Sequence, residues 1–86
     1  MLPGAVVRGR RNPLHVKLPQ RLKSTRKARG LSRHALGLLA GVSDTVIAYL
    51  EDSDRTPRAR TVVLLAQALN ISPAWLAYGL GSPTPD

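Results

Sequence analysis

Apolar and polar positions alternate with a helical period in two short runs between Leu31 and Glu51, LSRHALGLLAGVSDTVIAYLE. Ala35, Leu36 and Leu39 fall on one face of the first run, and Val46, Ile47 and Leu50 on one face of the second, at the i, i+3, i+4 spacing of an amphipathic helix. Each run therefore has one side to bury. Ser32 and Ser43 stand where a side-chain oxygen can cap the free amides of a helix start. Gly41, free to take positive φ, ends the first helix and turns the chain, with Val42 placed to pack beneath the corner. Gly37 faces the second helix. A glycine there costs about 1 kcal/mol relative to alanine, a cost that close approach of the two backbones would offset.

The same reading predicts three more helices. One runs from about Pro19 to Arg29, begins its buried side with Leu18 and Leu22, and stops at Gly30. Another covers about 59–69, burying Val62, Leu65, Ala66 and Leu69, with Asn70 as a left-handed terminus. Ser72 and Pro73 then cap and start a final helix that Gly79 closes, with Trp75 and Leu76 turned into the core. The two central helices are expected at about 33–40 and 44–52. Residues 1–17 contain Pro3, Gly4, Gly9 and Pro13 and carry no sustained period, so a flexible arm is expected there. The helical domain is expected over residues 18–80, and residues 81–86 are expected to form a mobile tail.

Charge adds a partner class. The net charge is +8 over 86 residues, but its distribution is uneven. Residues 1–30 hold nine bases and no acid, and the remainder holds four bases against five acids. Clustered Lys and Arg are rewarded by counterion release from a polyanion, so this asymmetry points to nucleic acid. A chain with no cysteine has neither a disulfide framework nor a thiolate metal site. His15 and His34 lie far apart in the sequence, so no metal and no cofactor are expected. No apolar run reaches the roughly 18 residues of a membrane span. The expectation is a cytoplasmic protein without membrane contact.

The segments Leu31-Ser32-Arg33, Leu36-Gly37-Leu38-Leu39-Ala40-Gly41-Val42-Ser43 and Ile47 with Leu50-Glu51 resemble the helix-turn-helix core of the Cro and lambda-repressor-like, or XRE, family. Asn70-Ile71-Ser72-Pro73-Ala74-Trp75-Leu76 resembles its final core helix. The resemblance extends from about Leu18 to Gly79. It implies an all-α, five-helix DNA-binding domain, here carrying a basic N-terminal arm, that acts as a sequence-specific transcriptional regulator. A repressor bound as a homodimer to a pseudo-palindromic operator is the form expected.

The resemblance also assigns roles. The helix beginning near Asp44 is the expected recognition helix, with Asp44, Thr45, Ala48 and Tyr49 facing base edges. Ser32, Arg33, Ser43, Arg55 and Arg58 are expected on phosphates, and Arg8, Arg10 and Arg11 on phosphates or a minor groove. Arg26 and Glu51 are expected to form a buried structural ion pair joining the first helix to the third. Glutamine is the family's common residue at Arg33, where arginine adds charge and salt dependence. Asp44 departs from the pattern, since a carboxylate meets many phosphate charges. It either accepts from cytosine N4 or strengthens the positive helix start. The arm itself can equally be a solvated leader.

Two other classes compete. An antitoxin-like regulator would use Leu38, Leu64 or the arm to engage a toxin, and a protein-interaction adaptor would have lost DNA affinity to Asp44, Asp52 and Asp54. Tyr78 and Leu80 are further candidates for a subunit contact. An enzyme is not expected, because the sequence shows no phosphate-cradling glycine loop, no paired acids in a plausible pocket and no nucleophile with a positioned base.

Overall fold

The computed structural model describes residues 17–53 and 57–84. Five helices follow in order: α1 (Leu18–Ala28), α2 (Arg33–Ala40), α3 (Asp44–Asp52), α4 (Ala59–Leu69) and α5 (Pro73–Tyr78). Among the described residues there is no strand. Residues 1–16 of the expected arm lie outside them, as do Arg55 and Asp54.

Local chemistry sets most of the boundaries. Ser32 Oγ accepts from the Ala35 amide at 2.9 Å, Ser43 Oγ from Val46 at 3.1 Å and Ser72 Oγ from Trp75 at 3.3 Å, so α2, α3 and α5 each begin on a serine cap. Proline opens α1 and α5, where its missing N–H is no loss. Gly41 closes α2 at φ 73°, and the amides of Gly41 and Val42 both return to the Gly37 carbonyl. Asn70 closes α4 in the same left-handed region at φ 57°.

The core gathers one stripe from every helix, Leu18 and Leu22, Leu36 and Ala40, Ile47 and Leu50, Val62, Leu65, Ala66 and Leu69, then Leu76 and Ala77, together with Ile71 from the α4–α5 turn. Leu31, Val42, Leu64, Ala68 and Trp75 pack against it half-buried. Three residues expected on the buried faces are not in it, the first being Ala35, which is only half-buried. Leu39 is 63% exposed and Val46 is 39% exposed. The buried faces are instead Leu36, Gly37 and Ala40 on α2, and Ile47, Leu50 and Glu51 on α3. At 3.6 residues per turn, Leu39 and Val46 each lie roughly 90–105° from the centre of those faces. Apolar type suggested a stripe that backbone approach at Gly37 and a buried acid at Glu51 have rotated. Leu64, considered for a partner surface, is half-buried against the core, and Leu38 is 73% exposed.

Gly37 is what lets α2 meet α3. A methyl group there would lie 2.5 Å from the Val42 carbonyl oxygen and 3.4 Å from the Asp44 amide. Only a hydrogen fits. Of the expected tail, residues 81–84 are described, and the Pro83 carbonyl accepts from the Ser72 amide at 2.9 Å.

Candidate nucleic-acid interface

The outer side of α3 follows from what its inner side must bury. With Ile47, Leu50 and Glu51 turned inward, Asp44, Thr45 and Tyr49 are exposed and Ala48 is half-buried beside them. These four lie at i, i+1, i+4 and i+5, a single helical face. Ser43 holds the start of that face through its cap, and a hydroxyl that accepts from an amide still has its own O–H to donate.

Behind this face sits a charged network. Arg26 Nε donates to Glu51 Oε2 at 2.7 Å and Arg26 Nη2 to Glu51 Oε1 at 3.0 Å, a bidentate pair, while Arg26 Nη1 donates to the Leu31 carbonyl at 2.8 Å. Arg33 Nε adds a third donor to Glu51, reaching Oε1 at 3.0 Å. One carboxylate thus joins α1, α2 and α3. Its side chain is fully buried. Burial alone pushes the Glu51 carboxyl up, but the hydrogen bonds from Arg26 and Arg33, with their charges, outweigh it and hold the group below the usual carboxylate value. The hydrogen bond to Glu51 in turn raises Arg26 against its own desolvation.

Arg33 has a second carboxylate partner. Its Nη2 donates to Asp52 Oδ1 at 3.2 Å and to Oδ2 at 3.4 Å, so the guanidinium expected on a phosphate lies against the end of α3. At the other end of the helix, His34 Nδ1 stands 3.6 Å from Asp44 Oδ2. Ser32 and Arg58 are exposed at the starts of α2 and α4. Arg8, Arg10, Arg11 and Arg55 lie outside the described residues.

Sequence reasoning missed two tasks within the basic first third. Arg21 Nε and Nη2 donate to the carbonyls of Leu76 and Ala77, both at 2.9 Å, and Arg29 Nε donates to the Leu69 carbonyl at 3.0 Å. Both bases answer the unpaired carbonyls of a helix C-terminus. Burial lowers the Arg21 pKa. Nothing in the local sequence marks either role, because the carbonyls belong to α4 and α5, 40 to 56 residues away. Among the described residues no group of His, Cys, Asp or Glu is placed to hold a metal ion, and no helix is long and apolar enough to cross a membrane.

The profile of the helix-turn-helix family HTH_3 matches residues 22–76. The HTH-type transcriptional regulator PrtR of Pseudomonas aeruginosa is 38% identical over 63 residues, which cover 73% of this chain and 24% of PrtR. The restriction-modification controller protein C.AhdI from Aeromonas hydrophila shares 36% identity with a TM-score of 0.66, over 71% of this chain and 92% of that one. The c2 repressor of Salmonella phage P22, solved in complex with synthetic operator, shares 32% identity with a TM-score of 0.67, over 72% of this chain and 94% of that one. The chain spans about a quarter of the length of the curated relatives it matches, 24% and 28%.

Proposed function

This chain belongs to the helix-turn-helix family HTH_3, and from that premise we propose that it is a transcriptional regulator that binds double-stranded DNA sequence-specifically. Among its relatives are a regulator, a controller protein and a repressor solved with operator, none of them an enzyme by name. The observation that carries the reading is α3. Its inner side is clamped by core residues and the Arg26–Glu51 pair, and its outer side offers Asp44, Thr45, Ala48 and Tyr49 together.

In this reading α3 enters the major groove. Thr45 offers a hydroxyl and a methyl suited to thymine, and Tyr49 a ring edge and a hydroxyl. Ser32, Arg33, Ser43 and Arg58 meet phosphates around it, aided by the positive starts of α2 and α3. Arg55 and the arm residues Arg8, Arg10 and Arg11 extend the phosphate contacts. Two copies related by a two-fold axis place their α3 helices about 34 Å apart on a pseudo-palindromic operator, and occupancy of a promoter represses it.

Selection of bound duplexes from a random pool tests this. The wild type enriches a two-fold symmetric motif, and Tyr49→Ala, still helical by circular dichroism, relaxes preference at particular base pairs. An unchanged motif removes Tyr49 from base readout, and enrichment of nothing removes the function. The exposure of neighbouring Leu38 and Leu39 favours one further reading, an antitoxin-like regulator whose α2 docks a second polypeptide. Stoichiometric co-purification of such a partner, lost in Leu38→Ser, is its test.

A further inference from the structure

Arg33 occupies the first position of α2, and its guanidinium is divided between two carboxylates of different standing. Glu51 is fully buried and holds Nε at 3.0 Å, which anchors the side chain in place. Asp52 is exposed over 59% of its side chain and takes Nη2 with both oxygens, at 3.2 and 3.4 Å. The Arg33 side chain is itself 34% exposed, so this outer contact is open to exchange.

A carboxylate presents two oxygens to a guanidinium much as a phosphate does. Asp52 therefore occupies Nη2, a donor that a backbone phosphate would use. The base cannot simply swing clear of its rival, because Glu51 fixes the neighbouring Nε. Asp44, at the far end of α3, does not have this position, for its neighbour is His34. We infer that Asp52 is an internal competitor for phosphate: it holds Arg33 back from the DNA backbone and lowers the sequence-independent part of DNA affinity. The inference rests on the DNA-binding reading and assigns Asp52 a role in it through Arg33, beyond the general effect of an acid on the local field.

The difference is measurable by fluorescence anisotropy with a mixed-sequence duplex, titrated from about 50 to 200 mM salt. Four proteins are compared: wild type, Asp52→Asn, Arg33→Gln and the double variant, each checked for folding by circular dichroism. Asp52→Asn is expected to bind about two- to fivefold tighter, the range set by an exposed ion pair. Its log affinity should also fall more steeply with log salt, by up to about 0.9, as one more phosphate is neutralised. In the Arg33→Gln background the same change should bring less than half that gain and no change in slope. Equal gains in the two backgrounds overturn the inference and leave Asp52 a generic surface charge. Absence of binding by all four folded proteins at the lowest salt overturns the DNA-binding reading itself, and this inference with it.

Discussion

The brace behind α3 can be broken at one residue. Glu51→Ala removes the acceptor of three hydrogen bonds and leaves the Arg26 side chain, only 8% exposed, with the Leu31 carbonyl alone. A buried charge stripped of its partner costs about 3–5 kcal/mol. Small domains have total stabilities near the low end of about 5–15 kcal/mol, so most of the margin is lost. At about 4–8 °C per kcal/mol for a domain of this size, the melting temperature should fall by about 12–40 °C. Thermal unfolding followed by far-ultraviolet circular dichroism at pH 7 measures it. Replacing both partners by apolar residues of similar shape, Arg26→Met with Glu51→Leu, should recover more than half of the loss, since no charge is then left buried. A Glu51→Ala protein that melts within about 3 °C of wild type would refute the reasoning, as would a double variant no more stable than the single one.

Three further outcomes follow from the same geometry. Because the folded-state pKa of Glu51 is depressed, its contribution to stability is complete above the ordinary carboxylate range and is lost as pH falls through the depressed value. Urea denaturation should therefore show acid destabilisation that sets in as pH falls below the ordinary carboxylate value of about 4.3 and is blunted in Glu51→Gln. Gly37→Ala gains helix propensity of about 1 kcal/mol but drives a methyl to 2.5 Å from the Val42 carbonyl, at a cost near the upper end of about 1–3 kcal/mol, so a net loss of about 1–2 kcal/mol is expected in the same denaturation assay. Ser43→Ala removes the α3 cap and should cost about 1 kcal/mol, with α3 amides exchanging with solvent faster than those of α1.

The elements were legible because their ends are chemically marked. Ser32, Ser43 and Ser72 cap, Gly41 and Asn70 turn, and helical spacing places Leu22, Leu36, Ile47 and Leu65 inside. The faces were less legible. Leu39 and Val46 look like core by type, yet the rotation of α2 and α3 is decided by which residue lets another backbone approach, Gly37, and which charge is matched in the interior, Glu51. The basic first third read as one field of charge. In the folded chain Arg21, Arg26 and Arg29 are committed to carbonyls and a carboxylate, partners that local periodicity does not reveal. Arg33 was legible as a cation at the start of α2, but its division between Glu51 and Asp52 depends on how α2 crosses α3.

The claim on which the functional account turns is that the outer side of α3 meets base edges. Titrating the isotopically labelled protein with its selected duplex, and following backbone amides by nuclear magnetic resonance, tests that contact directly. The account predicts that the largest shifts cluster at Ser43, Asp44, Thr45, Ala48 and Tyr49, with a second group at Ser32, Arg33 and His34. Shifts confined to α4 and α5, with the α3 amides unmoved at saturation, would contradict it.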